Sequence, residues 1–259
     1  MGSFISHTLF NEKNQKKEST MTEVKINLAN MIIHIQGVYD TLREHCKEYI
    51  TTEKKIEDFS ITVTSEEIQN ERESNEYDQK SDNYIEIIMT LLKIADELPD
   101  RNKFLMHGAL VAWKRTGYIF TAPSGTGKTT HVRLWEKYLG SDAEIINGDK
   151  PILEVKEDEI VAYGTPWAGK ERLQKNTCVP VRGICFLRQS EINTIHKLSK
   201  KEALLLLLPQ IYIMSDSQKA GKTLELFSEV LERIPIYEFR CNISEQAVKC
   251  SFDILTAEN

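Results

Sequence analysis

The chain has 259 residues, with 33 Lys and Arg against 39 Asp and Glu and a formal charge of −6 at pH 7. That acidic balance gives no global attraction for a phosphate backbone and excludes general nucleic-acid binding. Hydrophobic residues at 41% and charged residues at 28% fit an ordinary globular protein and exclude collagenous and wholly disordered classes. No apolar run nears the roughly 20 residues that span a bilayer, since Ala203 to Leu208 is stopped by Pro209, so no membrane partner is expected. Met1 to Thr20 lacks the apolar segment of a signal peptide. The five cysteines, Cys46, Cys178, Cys185, Cys241 and Cys250, form no CxxC. An odd count without a secretory signal predicts reduced thiols in a cytoplasmic protein, most of them buried small hydrophobes.

In chain order, residues 1–20 are polar and aperiodic and read as a disordered tail. Lys25 to Leu28 and Met31 to Ile35 read as short strands. Val38 to Tyr49 carries apolar residues near helical spacing, and Asp58 to Thr64 is β-rich. Ser65, followed by Glu66 and Glu67, is expected to cap a helix. Asn70 to Asp82 is strongly charged and reads as a solvated helix face or a loop. Tyr84 to Leu98 has helical spacing and stops before Pro99. Ala109 to Trp113 and Tyr118 to Thr121 read as a hairpin around the polar turn Lys114 to Gly117. A glycine loop follows, then a helix from Thr129 to Tyr138 ended by Gly140. Glu144 to Ile146, Ile152 to Val155, Ile160 to Tyr163 and Arg182 to Arg188 read as strands. Lys200 to Leu208, Lys222 to Ile234 and Ser244 to Leu255 read as helices, with Met214 to Gly221 as a polar loop able to act as a lid. This ordering predicts an α/β protein: a small N-terminal α+β domain over 21–100 and a nucleotide-binding domain over 101–259.

Thr121-Ala122-Pro123-Ser124-Gly125-Thr126-Gly127-Lys128-Thr129-Thr130 lies between an apolar strand and a helix, the setting that makes a phosphate-loop match credible. Gly125 and Gly127 let backbone N–H groups turn toward phosphate oxygens with no Cβ in the way. The helix opening at Lys128 directs its positive dipole end at the anion. Ser124, Gly125, Thr126, Gly127, Lys128, Thr129 and Thr130 are therefore the candidate nucleotide-binding residues. Lys128 is expected at the β/γ-phosphates and the Thr129 hydroxyl on Mg²⁺. Ala122 stands where the usual motif has its first glycine. A phosphate loop also needs a carboxylate at a strand end. Asp149, in Ile145-Ile146-Asn147-Gly148-Asp149-Lys150-Pro151, follows a strand about one helix and one return strand after Lys128. A turn carboxylate capping its own loop is the alternative reading there.

Met106-His107-Gly108-Ala109-Leu110-Val111 together with Ser124 to Thr130 resembles a known family. HPr kinase/phosphorylase has a similar His-Gly before a strand pair, followed by a Ser-Gly-x-Gly-Lys-Ser loop. The phosphoenolpyruvate carboxykinases carry a very similar Ser-Gly-Thr-Gly-Lys-Thr-Thr loop, and the lasso-peptide serine kinases share this kind of core. The resemblance covers residues 104–190 well and the C-terminal part loosely; the N-terminal piece matches neither well-known enzyme. It implies a P-loop core of the phosphoenolpyruvate carboxykinase/HPr kinase type. It also implies that His107 is the active-site histidine, that Lys128 and Thr129 serve phosphate and Mg²⁺, and that Asp149 is the second, metal-binding Asp of a pair. The first Asp of that pair, the family's base, corresponds here to Gly148, so His107 or Asp149 takes that role or the base lies elsewhere. A histidine at a strand start can equally be a hydrogen-bonded core residue.

Tyr163 to Arg172 is a second loop of interest. Its Lys170 and Arg172 could clamp a phosphate or an anionic acceptor, and Trp167 could wall the acceptor site. A surface loop with solvated charges and one packed Trp is the alternative. The expected activity is that of a Mg²⁺-ATP-dependent kinase acting on a hydroxyl of a peptide, protein or small molecule, with His107, Lys128, Asp149 and Lys170 as catalytic residues. A nucleotide-binding scaffold without phosphotransfer is the alternative, motivated by Gly148, and carboxykinase-like lyase chemistry is a weaker one. The resemblance to HPr kinases, which assemble, allows a homo-oligomer.

Overall fold

The computed structural model describes residues 21–73 and 80–257; the expected tail and part of the charged stretch Asn70 to Asp82 lie outside them. Strands β1 (Thr22–Leu28) and β2 (Met31–Gly37) form an antiparallel hairpin. Alternate residues of β1 are buried, the period of a strand with one face on a core. After helix α1 (Thr41–His45), β3 (Phe59–Thr62) adds in parallel to β2. Helices α2 (Ser65–Glu73) and α3 (Asp82–Glu97) follow. The cap of α2 sits one residue earlier than expected. Thr64 Oγ1 accepts from the Glu67 amide at 3.2 Å and the Glu67 carboxylate accepts from the Thr64 amide at 2.9 Å, a reciprocal capping box.

The remaining strands are β4 (Lys103–Leu105), β5 (Ala109–Trp113), β6 (Thr116–Thr121), β7 (Ala143–Asn147), β8 (Ile152–Val155), β9 (Ile160–Tyr163), β10 (Cys178–Gln189), β11 (Thr194–Lys197) and β12 (Ile236–Cys241). They join in one sheet of order β4-β8-β9-β10-β6-β5-β7, with β12 beside β10 and β11 beside β12. Long β10 curls this sheet. Its first residues pair antiparallel with β9, a register shift falls between Val181 and Gly183, and its later residues run parallel to β6 and β12. The helices are α4 (Lys128–Leu139), α5 (Lys200–Leu207), α6 (Ser217–Arg233) and α7 (Glu245–Ala257). In one apolar cluster Val132 and Trp135 of α4 and Val248 and Leu255 of α7 pack with Phe120 and Phe239. In another, Ala203 and Leu207 of α5 and Phe227 and Val230 of α6 pack with Phe104 and Ile184. Each fully buried Phe or Leu contributes about 1.5–3 kcal/mol, so these two layers hold the sheet. A third cluster spans the two sheets, joining Ile26, Ile33 and Leu98 to Leu105, Ile152, Tyr163 and Trp167.

The protein is a mixed α/β fold, and several local expectations are corrected. The hairpin turn is only Lys114-Arg115, both with positive φ (48° and 67°), as a two-residue turn between right-twisted strands requires. Gly117 lies inside β6, where an added Cβ would meet Val179 Cγ2 at 2.7 Å. Met214 to Gly221 is not a free loop, because α6 starts at Ser217, capped by Asp216, whose carboxylate accepts from the Gln218 and Lys219 amides. Of the cysteines, Cys46 and Cys185 are buried, Cys241 and Cys250 half-buried and Cys178 exposed, so burial accounts for two of the five. Among the described residues no helix is long and apolar enough to cross a membrane.

Candidate active site

Topology explains why residues far apart in sequence meet. Strand β5 lies between β6 and β7 and runs antiparallel to both, with Ala109 opposite Phe120 and Leu110 opposite Asn147. The start of β5 therefore sits beside the ends of β6 and β7. His107, the glycine loop after Thr121 and Asp149 are thus brought to one edge of the sheet. Three hydrogen bonds fix this corner: His107 accepts at its carbonyl from Thr121 Oγ1 at 2.7 Å, the Gly108 amide donates to the Asp149 carbonyl at 2.8 Å, and the Met106 amide donates to the Pro151 carbonyl at 3.1 Å.

The glycine loop has the conformation its sequence predicts. Gly125 and Gly127 take φ of 81° and 112°, values side-chain-bearing residues rarely adopt, and an added Cβ at either would meet nothing within 4 Å. Conformation, not crowding, is what requires glycine there. Gly127 precedes α4 directly, so the free amides of the first helical turn lie at the loop. Ser124 is exposed and Thr129 half-buried. Lys128 is buried, and its ammonium donates to the Ala122 carbonyl at 2.9 Å and the Pro123 carbonyl at 3.4 Å. Burial lowers its pKa from the usual lysine value and Asp149's charge works against that shift, so the two groups lie within electrostatic reach.

Asp149 is the most heavily partnered group at this edge. One carboxylate oxygen lies 3.2 Å from His107 Nε2 and the other 3.2 Å from Lys150 Nζ. Burial opposes its ionisation, but the His107 hydrogen bond and the Lys150 charge outweigh that and hold the carboxyl below its ordinary range. His107 is not a core residue; it bridges Asp149 and Gln210, whose side-chain oxygen lies 3.1 Å from Nδ1. The Gln210 carbonyl also accepts from the His107 amide at 2.6 Å. An amide can present oxygen or nitrogen, so Gln210 can accompany the ring in either protonation state.

Asn147, fully buried, shapes the turn that carries Asp149. Its oxygen accepts from the amides of Asp149 at 2.9 Å and Lys150 at 2.7 Å, and its nitrogen donates to the Thr165 carbonyl at 3.0 Å. Sequence reasoning missed both Asn147 and Gln210. An Asn two residues before an Asp at a strand end is a recognisable Asx-turn signal, whereas Gln210 comes from a distant 3₁₀ turn and leaves no local trace. Gly148 is tightly enclosed. A Cβ there would stand 2.7 Å from the Ala168 carbonyl oxygen and 3.4 Å from Leu173 Cβ, so position 148 has no room for a carboxylate.

The second loop contributes backbone and not the expected side chains. Trp167 is buried in the cluster between the sheets, its indole N–H donating to the Ile87 carbonyl at 2.9 Å, so it walls no open site. Gly169, with φ of 79°, lies against Asp149, where an added Cβ would be 3.4 Å from Asp149 Cβ. Lys170 is exposed and forms no ion pair among the described residues. Arg172 is also exposed, and its charge acts on His45 and Glu44.

A cavity of about 780 Å³ opens beside Gly125, Thr126, Gly127 and Thr130 but is not lined by His107, Asp149, Thr129 or Lys170. Among the described residues no group of three or more His, Cys, Asp or Glu side chains forms a metal cage. Thr129 and Asp149 offer two hard oxygen donors, which suits Mg²⁺, an ion usually held by one or two protein oxygens plus phosphates and water.

A family model described as SynChlorMet cassette protein ScmC matches residues 73–248. No curated protein matches the chain. Among solved structures, the Hpr(Ser) kinase/phosphatase from Coxiella burnetii is similar at 9% identity, over 60% of this chain and 88% of that one, with a TM-score of 0.36. A likeness at that score says nothing about function. The ScmC match spans more than half of the chain, and the chain belongs to that family.

Proposed function

We propose that this ScmC-family protein is a Mg²⁺-ATP-dependent kinase that phosphorylates a hydroxyl, on a serine of a peptide or protein or on a small molecule. The reading includes a P-loop core of the phosphoenolpyruvate carboxykinase/HPr kinase type over 101–259 and a smaller α+β unit over 21–100. One observation carries it: the glycine loop with Lys128, the ionised Asp149 and His107 converge on a single sheet edge. That is the positioning and charge neutralisation that phosphoryl transfer mainly needs.

Gly125, Thr126 and Gly127 would cradle phosphate oxygens through backbone N–H groups at the start of α4. Lys128 would leave the Ala122 and Pro123 carbonyls for the β/γ-phosphates, an exchange of neutral acceptors for anionic ones that favours the bound state. Thr129 and Asp149 would hold Mg²⁺, which supplies neutralisation of charge developing on the phosphates. With position 148 closed to a carboxylate, the acceptor hydroxyl's proton falls to the His107–Asp149 pair, with Gln210 adjusting its amide as the ring changes charge. Lys170 would reach an anionic acceptor from the rim.

The closure at Gly148 equally favours a second reading, a nucleotide-binding module that does not transfer phosphate. The test is incubation with γ-labelled MgATP and a panel of hydroxyl acceptors, peptides first, on wild type, Asp149→Asn and His107→Ala. Mg²⁺-dependent label on an acceptor, lost in both variants, is expected. Retained nucleotide binding with no label on any acceptor would favour the second reading.

A further inference from the structure

We infer that the nucleoside end of the phosphate donor occupies the cavity between α4 and the ends of β10 and β12, with its base against Leu134, Leu187 and Ile243. The inference rests on the phosphate-loop reading above and adds where the rest of the ligand lies. At about 780 Å³ the cavity is large enough, since small-molecule sites typically run about 300–1,000 Å³. One wall is the glycine loop itself, so phosphates seated on Gly125 and Gly127 lead directly into it. Neither His107 nor Asp149 lines it, which leaves their side for an acceptor.

The polarity of the cavity follows that of a nucleotide. Its loop end presents backbone donors and the positive end of α4, which suit phosphate. Acceptors line it too. Beside the loop, the Gln189 amide nitrogen is committed to the Thr126 carbonyl at 3.2 Å, leaving the side-chain oxygen as an acceptor. Glu191 is a lining residue, exposed, and its carboxylate has no ion-pair partner among the described residues. A free carboxylate repels phosphate but accepts from ribose hydroxyls and from the amino groups of a base. Part of the wall is apolar, from Leu134, Leu187 and Ile243. Leu187 is buried, whereas Ile243 is 78% exposed, a large apolar side chain that a flat base would cover.

Ile243→Ser tests this without touching the phosphate loop, and the exposure of Ile243 makes the variant safe for folding. Isothermal titration with MgATP and with magnesium tripolyphosphate, on wild type, Ile243→Ser and Lys128→Ala, separates the two ends. In Ile243→Ser the MgATP affinity should fall about tenfold, the loss of one good apolar contact, with tripolyphosphate binding unchanged. Ile243→Leu should restore MgATP binding. MgATP binding that survives Ile243→Ser intact but is lost in Lys128→Ala would overturn the inference and leave the phosphate-loop reading standing. Equal weakening of both ligands in Ile243→Ser would also overturn it. Failure of both ligands to bind wild type would remove the phosphate-loop reading and the inference with it.

Discussion

Gly148 is a position beside the candidate site where a single added methyl group should be costly. The ideal Cβ stands 2.7 Å from the Ala168 carbonyl oxygen, where ordinary contact begins at 3.4 Å, so about 0.7 Å of movement is required. The carbonyl has little freedom to retreat. Ala168 is buried, its neighbour Trp167 is packed between the sheets and bonded to Ile87, and Gly169 on the other side abuts Asp149. Leu173 Cβ at 3.4 Å closes the second direction. Overpacking of this kind costs about 1–3 kcal/mol, and at this chain length a loss of about 2 kcal/mol lowers Tm by roughly 4–8 °C. Thermal and urea unfolding of Gly148→Ala should show that loss. Gly221 supplies the control: it sits inside α6 with nothing within 4 Å of an added Cβ, so Gly221→Ala should stabilise by about 0.5–1 kcal/mol. Gly148→Ala as stable as wild type would refute the placement of the 166–169 loop, and with it the enclosure of position 148.

The buried His131 should make stability fall with acid. Burial pushes its pKa down to about 3, against about 6.5 in an unfolded chain, so between those values the unfolded state binds the extra proton and stability drops as pH falls. From pH 7 to pH 5 this amounts to about 2 kcal/mol, read as a pH slope in urea unfolding that His131→Gln flattens; an unchanged slope would deny the burial. Trp167→Phe removes the indole bond to Ile87 and should cost about 1–3 kcal/mol of stability without changing MgATP affinity. A large affinity loss in that variant would return Trp167 to a binding site.

The secondary structure near the site is legible in the sequence because local chemistry decides it. The glycine loop announces itself through Gly125 and Gly127, whose positive φ is a backbone demand written in residue type. Asp149 is legible from its place after an apolar strand. What escapes is set by distant partners. Strand β11 has a weak pattern of its own and is a strand because it pairs with β12, whereas β12 carries the β-forming run Ile236-Tyr237-Glu238-Phe239, a signal that sequence reasoning passed over. Trp167 has the sequence setting of a site residue, but packing against the N-terminal sheet covers it. Gln210 reaches His107 across 103 residues, and Lys170, which follows the Gly169 that abuts Asp149, directs its charge at no ion-pair partner among the described residues. The start of α6 is hidden by polar residues, though Asp216 followed by Ser217 is an ordinary capping signal.

Calorimetric titration of ATP, with and without Mg²⁺, on wild type and Lys128→Ala tests the central claim most directly. Lys128 is buried at the loop with its ammonium on two carbonyls. Mg²⁺-dependent binding to wild type, abolished in Lys128→Ala, is the expected result. Equal binding by both proteins, or no binding by wild type, would contradict a working phosphate loop at residues 124–130.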